Sequence, residues 1–492
     1  MTARPAILRR FFHSRKMDSA SNPTQSVITC RNSQGTELTA NLLRITRYSV
    51  VFEVYNPYSI LQLSEVLSDF RIMASRRLLF HGKAVVSNLL NTGIVLVCEA
   101  MLDDGWVEVD FLSGVSTAET DGGRDLASQF ATFMGEWKTA NRVHDSFKLV
   151  VADLASTLSG VQQWLTSIDV GIRTTVTRRR EDLEQEIFSG IEKRVIEEVL
   201  PKMQVFENVS AKVAQAEVAV HKSYVRRELH PIVLCSPFLY RTYTKPLGYA
   251  GDYEMVNMML RNPYEGSSSF AKLLNFTLLN TEPVVAHRNR IEFLLWKLRS
   301  ECVRRAATGR TRVLNLACGP AVEVQRFLRE CPESDLAEID MLDFNSETLE
   351  YTRECLVEAR AAAGRRTELR FFERSVHQLL RSAAQGGEDE FTGYDFVYCA
   401  GLFDYLSQRV CKRMVELFCT MVKPGGVVIV TNVATCNPRK AWMEYVMEWN
   451  LIYRDGKEMM DLVPEGLKVK GATVGADPTG VNLLLEIELA NG

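Results

Sequence analysis

The segment TRVLNLACGPAVEVQRFL constrains this chain more than any other. An apolar strand, Val313 to Leu316, runs into the small-residue turn Ala317-Cys318-Gly319-Pro320-Ala321 and then into a helix. A turn of small residues at a strand's C-terminal end lets the backbone approach a ligand, and the free N–H groups opening the next helix suit an anionic group. Four further elements follow in order. LAEIDMLDFNSETLEYTREC is a strand ending at Asp343 and Phe344, followed by a helix; TELRFFERSV is a strand ending at Ser375 and Val376. YDFVYCAGLFDYL is a strand, Tyr394 to Cys399, that opens into Ala400, Gly401 and Leu402. MVKPGGVVIVTNV is a Lys423-Pro424-Gly425-Gly426 turn feeding a fifth strand. Strands alternating with helices predict an α/β domain built on a mostly parallel sheet. Asp343 follows Gly319 by 24 residues, close to the ~20-residue interval at which an acid receives ribose hydroxyls. A plain helix N-cap is the other reading of Asp343, and both can hold together.

The rest of the chain divides by composition. At ~150 residues per domain, 492 residues suggest about three domains. Residues 1–25 read as a disordered basic tail, since MTARPAILRRFFHSRK holds five Lys/Arg and no acid. A transit peptide, or an extension upstream of a start at Met17, has the same composition. Residues 26–115 are β-rich: TRYSVVFEVYNP, then apolar stretches punctuated by the turn signals His81-Gly82 and Thr92-Gly93, then WVEVDF in strict alternation. A small antiparallel barrel or sandwich is expected there. Residues 116–230 read as a helical connector, with Leu183, Ile187, Ile191, Val195 and Val199 forming one apolar stripe. Such a stripe can pair two copies into a homodimer. Residues 231–300 read as cap helices, and residues 301–492 as the sheet domain.

Charge and cysteine usage exclude several functions. Lys+Arg number 58 against 61 Asp+Glu, a net charge of −3, which removes the case for a dedicated nucleic-acid binder. Arg178-Arg179-Arg180 lies beside Glu181 and Asp182 and reads as a solvated helix surface. No apolar run approaches the ~18 residues of a membrane span. Eleven cysteines without a C-x-x-C pair read as reduced thiols of a cytoplasmic protein, with no metal site.

The five ordered elements resemble class I S-adenosylmethionine-dependent methyltransferases, whose first motif usually reads acid-x-Gly-x-Gly-x-Gly. Here Asn315, Ala317 and Ala321 replace the acid and two glycines, leaving Gly319. The resemblance implies S-adenosylmethionine as cofactor, bound by Asn315, Ala317, Cys318, Gly319, Pro320, Asp343, Phe344, Ser375, Val376, Ala400, Gly401 and Leu402. Glu323 would take the place of the missing acid at the cofactor's ammonium group. A dinucleotide-dependent hydride transfer is the competing reading of such a sheet, but it wants three glycines around a pyrophosphate.

Upstream lies LYRTYTKPLGYAGDYEMVNMMLRNPYEG, then a helix carrying AHRNRIEFLLW. One reading is a plain capped turn; the other is a lid in which Tyr249, Asp252 and Arg288 are catalytic. His287 and Arg290 share a helix face, with Arg288 pointing elsewhere. NPRKAWMEYVMEWNLIYRDG is expected to be a helix whose Trp442, Met443, Tyr445, Met447 and Trp449 are core, or line an acyl-chain pocket. With these segments the chain resembles bacterial methyltransferases of 3-hydroxypalmitic acid methyl ester (quorum-sensing signal) biosynthesis, including a PilZ-like front region. That implies O-methylation of a 3-hydroxy fatty acid carboxyl, oriented by a cation among Arg241, Lys245, Arg288 and Arg454. For a hydroxyl or amine acceptor, Asp252, Tyr253, Asp404 or His287 would serve as base. A non-catalytic S-adenosylmethionine-binding regulator is a further alternative. Cyclic di-GMP readers carry Arg-x-x-x-Arg, whereas Arg44-Ile45-Thr46-Arg47 is one residue short, so no cyclic di-GMP binding is expected.

Overall fold

The computed structural model describes residues 26–46, 48–54, 61–74, 77–91, 96–103, 142–174, 180–307, 309–384 and 391–491. The basic stretch 1–25, the Thr92-Gly93 turn, the strand expected at 106–111 and the side chains of the triple arginine 178–180 lie outside them.

Strict alternation builds the front of the chain. In β2 (Glu37–Ile45), Leu38 and Ala40 are buried while Glu37, Thr39 and Asn41 are exposed. With β1 (Val27–Arg31), β3 (Ser49–Val54), β4 (Val66–Ala74), β5 (Arg77–Asn91) and β6 (Leu96–Leu102) it closes into a barrel of order β1-β2-β3-β6-β5-β4. Every pairing is antiparallel, and closure leaves no free sheet edge. The turn expected at His81-Gly82 is instead the middle of β5. The Phe80 ring folds back over Gly82, where a Cβ would stand 3.0 Å from the ring. The glycine makes room for an aromatic ring and the strand runs on.

Helices α1 (Asp145–Thr174), α2 (Arg180–Ser210) and α3 (Val218–Val233) form the connector. The cap helices are α4 (Pro237–Thr244), α5 (Tyr253–Leu260), α6 (Ser269–Leu279) and α7 (Glu282–Arg305). The stripe residues Ile187, Ile191, Val195 and Val199 of α2 pack into a core shared with the barrel and the cap. Of these, Val199 is buried and Ile187, Ile191 and Val195 are half-buried.

The remainder is a seven-stranded sheet of order β12-β13-β11-β10-β7-β8-β9. Its strands are β7 (Thr311–Leu316), β8 (Ala337–Asp343), β9 (Glu368–Glu373), β10 (Tyr394–Cys399), β11 (Val422–Val433), β12 (Val469–Ala476) and β13 (Asn482–Leu489). β7 to β11 run parallel, as expected for strands alternating with helices. The closing hairpin β12–β13, which lies antiparallel to β11, was not among the expected elements. β10 is buried along its whole length, as a central strand covered on both faces must be. The Lys423–Gly426 turn is a bulge inside β11: Tyr394 pairs with Val422, but Phe396 pairs with Val427. Strand order reverses at β7, and in such sheets the crevice at the reversal holds the ligand. Among the described residues, no helix is long and apolar enough to cross a membrane.

Candidate functional site

A cavity opens at that reversal, walled by the turn after β7, the end of β8 and the loop after β10. Ala317, Gly319 and Ala321 all take left-handed backbone, with φ of 54°, 52° and 48°. These are the three positions where the resembling methyltransferases carry glycine. Alanine reaches that conformation at a cost of about 1 kcal/mol. Surrounding hydrogen bonds hold it there: Cys318 N–H donates to Leu342 O at 3.1 Å and Thr352 Oγ1 donates to Gly319 O at 2.6 Å. A Cβ on Gly319 would meet nothing within 4 Å, so the backbone there borders open space.

Asp343 closes β8 under this turn. Its Oδ2 accepts from Gly319 N–H at 3.2 Å and its Oδ1 from Asn345 N–H at 3.1 Å. It is not the cap of the next helix, α9 in chain order after α8 (Val322–Glu330) and spanning Ser346–Ala362; Asn345 is, accepting from Thr348 N–H at 2.8 Å. Asp343 is buried and has no ion pair among the described residues, and burial pushes its carboxyl pKa up. A carboxylate kept dry with amide donors alone has lone pairs left for ligand hydroxyls.

Glu323, on the first turn of α8, sets a carboxylate beside Asn315. Its Oε1 accepts from Asn315 Nδ2 at 3.1 Å and from Tyr398 Oη at 2.8 Å. Burial raises its pKa while Tyr398, Arg290 and Asn315 oppose that rise. Pro320, Phe344, Val376, Ala400, Gly401 and Leu402 also line the cavity. Ser375 does not: its Oγ caps α10 (Val376–Ala384) through Gln378 N–H, and Gln378 Oε1 returns the bond to Ser375 N–H.

The lid residues separate into two groups. Tyr249 lines the cavity, its ring 5.2 Å from that of Phe344 and its Oη 3.4 Å from Thr348 Oγ1. Asp252 is structural. It caps α5 by accepting from Met255 N–H at 2.8 Å and is gripped by Arg241 Nε at 2.9 Å, away from the cavity wall. Arg288 also points away, donating to Met259 O at 3.2 Å, because it sits a hundred degrees round α7 from the inward face. On that face are His287 and Arg290, with Arg290 Nη2 donating to His287 Nδ1 at 2.8 Å.

Three other expected cations are spent elsewhere. Arg241 holds Asp252. Lys245 is buried under Tyr243 O and Met447 O, and burial pushes its pKa down to about 8. Arg454 is wholly buried, donating to Phe403 O and Leu406 O. Arg439, a residue sequence reasoning did not single out, lines the cavity, as Arg290 and Arg374 do. It forks onto Glu282 at 2.8 and 3.0 Å.

Residues 437–456 are not the expected helix. They form one wide π turn, Trp442–Val446, then an extended strap in which Glu448 takes φ of 51°. Trp442, Met443, Met447 and Trp449 line the cavity, whereas Tyr445 packs against Phe147 and Phe206. The barrel also reaches the site. Gln34 and Gln62 line the cavity, Val66 N–H donates to Gly248 O at 2.7 Å, and Ser64 Oγ donates to Asn450 O at 3.0 Å.

The π turn hangs on the connector through Glu207, which accepts from the N–H groups of Ala441 and Trp442 at 2.6 and 2.8 Å. Burial pushes the Glu207 pKa up to about 7 from 4.5. Between those values the folded chain holds a proton that the unfolded chain has lost, so this group's contribution to stability falls as pH rises. Thermal midpoints of wild type and Glu207→Gln at pH 5 and pH 8 check this. Relative to wild type, the variant is expected to gain stability toward pH 8; a constant difference would refute the assignment.

No family model matches the chain, and no curated protein matches it. Solved structures share part of the architecture. One is a possible exported protein from Bordetella parapertussis, at 16% identity over 51% of this chain and 86% of that one, TM-score 0.40. Another is magnesium protoporphyrin IX methyltransferase from Synechocystis with bound S-adenosylhomocysteine, at 13% identity over 42% and 84%, TM-score 0.30. A third is the N-methyltransferase NodS from Bradyrhizobium japonicum with S-adenosylhomocysteine, at 11% identity over 51% and 98%, TM-score 0.31.

Proposed function

We propose that the chain is an S-adenosylmethionine-dependent methyltransferase whose acceptor is the carboxyl of a small lipophilic acid, a 3-hydroxy fatty acid being the acceptor the sequence resemblance implies. One observation carries this reading: one cavity is lined by two chemically distinct sets of residues. Its lining holds the Ala317–Ala321 turn, Asp343 and Glu323, and also Met255, Met259, Trp442, Met443 and Trp449 with Arg439. Asp343 would accept the ribose hydroxyls, Glu323 with Asn315 would face the ammonium group, and the backbone at Gly319 would lie against the cofactor. When bound, S-adenosylmethionine supplies a methyl group on a sulfonium.

The chain's work is then to align the acceptor and keep water out. A fatty carboxylate, with a pKa of ~4–5 by analogy with Asp and Glu, is ionised at neutral pH and needs no base. A carboxylate lone pair forms the C–O bond as the C–S bond breaks, and the bonding pair stays on sulfur. No proton moves; the products are a methyl ester and S-adenosylhomocysteine. His287 fits such a base-free site, since burial and the neighbouring Arg290 and Arg288 push its pKa well below the usual histidine value.

Asp404 favours a second reading. It lines the cavity, and burial raises its pKa, so a hydroxyl acceptor would find a base there. Incubation with methyl-labelled S-adenosylmethionine and 3-hydroxy acids of several chain lengths, read by mass spectrometry, separates the two. Labelled methyl ester is the expected product. Labelled ether, or no labelled ester at any chain length from protein that binds S-adenosylhomocysteine, would sink the carboxyl reading.

A further inference from the structure

Buried polar atoms without a partner are rare, and each costs roughly 1–3 kcal/mol. Among the described residues, four such atoms belong to residues that line the cavity at the sheet reversal: His287 Nε2, Arg439 Nη1, Trp442 Nε1 and Asn482 Oδ1. Arg439, Trp442 and Asn482 are each at most 5% exposed. Three of the four are donors. An arginine can only donate, so the Arg290 bond to His287 Nδ1 makes that nitrogen the acceptor. The ring is neutral, and its proton therefore sits on Nε2, facing no acceptor. Arg439 uses Nε and Nη2 on Glu282, which leaves Nη1 over. Trp442 anchors its backbone N–H on Glu207 but gives its indole N–H nothing.

These donors come from two segments distant in sequence, α7 and residues 439–442, which the Arg439–Glu282 fork ties together. Resting on the methyl-transfer reading above, we infer that Arg439 Nη1, Trp442 Nε1 and His287 Nε2 form the recognition site for the acceptor's carboxylate. A carboxylate offers about four lone-pair sites and takes three donors while keeping one for attack. An alcohol or ether head group lacks that capacity. Binding a neutral oxygen there leaves donors unpaired, which is how a polar site rejects an analogue. The chain of the acid then runs along the methionine and tryptophan side chains of the same lining.

The test measures binding by calorimetry in the presence of S-adenosylhomocysteine, with 3-hydroxydodecanoate, dodecanoate and 1-dodecanol as ligands. Trp442→Phe removes the indole N–H and keeps an aromatic ring; Arg439→Lys keeps the charge and removes the third donor. Each variant is expected to bind both acids about tenfold more weakly, by the worth of one hydrogen bond to a charged group. Affinity for 1-dodecanol and for S-adenosylhomocysteine should stay within twofold of wild type, which also reports an intact fold. Acids that bind both variants as tightly as wild type would overturn the recognition site while leaving the methyltransferase reading standing. So would a loss shared equally by the alcohol. Wild type that binds S-adenosylhomocysteine but neither acid would overturn the acid acceptor and this site together.

Discussion

Asp343→Asn is expected to weaken S-adenosylhomocysteine binding by about two orders of magnitude. Hydrogen bonds to a charged group are worth roughly 1.5–3 kcal/mol each, and on the proposed reading a ribose diol would make two of them to this carboxylate. The asparagine also turns an amide toward Gly319 N–H and Asn345 N–H, both of which now donate to Asp343. One substitution therefore removes the ligand's acceptor and loosens the turn beneath the ligand. The carboxylate has no cationic partner among the described residues to be left unpaired, so the fold should survive with a small change in thermal midpoint. Calorimetric titration alongside a melting curve reads both effects. Affinity within threefold of wild type in a folded variant would refute the assignment of Asp343 to the ribose. The raised pKa of Asp343 adds a sign: binding should weaken as pH falls, because protonation removes the acceptor.

What the sequence made legible was local. Strand, turn and helix follow one another at the first sheet elements, a turn feeds the fifth strand, and alternation marks the barrel strands. The cofactor-side residues are legible for the same reason, since each lies at the end of a strand that patterning already identifies. Even the departures from glycine at Ala317 and Ala321 proved to be conservative, with the backbone left-handed at both positions. The acceptor side was harder because it is assembled from distance. Arg439 and Glu282 are 157 residues apart, and Glu207 holds Ala441 from 234 residues away. No periodicity links such positions. Residues 437–456 read as a helix because their apolar spacing is helical. Tertiary anchors won instead: Glu207 takes the backbone donors of Ala441 and Trp442, and Ser64 bonds the carbonyls of Glu448 and Asn450. Asp252 misled in the opposite direction. A polar residue before a helix in an aromatic-rich turn fits a lid acid as well as a cap, and only the Arg241 fork and Met255 N–H decide between them.

Gly251→Ala is expected to lower kcat/KM by about a hundredfold, the cost of roughly an ångström of misplacement at a reacting centre. Gly251 takes φ of 81°, and a Cβ there would stand 2.8 Å from Tyr405 Oη, so the backbone and the space both forbid it. Neither side of that contact can yield cheaply. Gly248 O is held by Val66 N–H of the barrel and Asp252 by Arg241, so the lid is pinned at both ends. Tyr405 is buried, and its Oη accepts from Trp449 Nε1 at 2.9 Å. Displacing Tyr405 therefore drags Trp449, and both rings line the cavity. Adding Tyr405→Phe supplies the control. It removes the oxygen that the new methyl group meets; the next nearest atom, Tyr405 Cζ, lies at 3.7 Å, an ordinary contact. The double variant should recover much of the lost kcat/KM, although Trp449 then lacks its acceptor and the left-handed alanine keeps its strain. Initial rates at varied acid concentration, with melting curves for each protein, measure both effects. A single variant within threefold of wild type, or a double variant no better than the single, would show that the contact between lid and wall does not set the geometry of transfer.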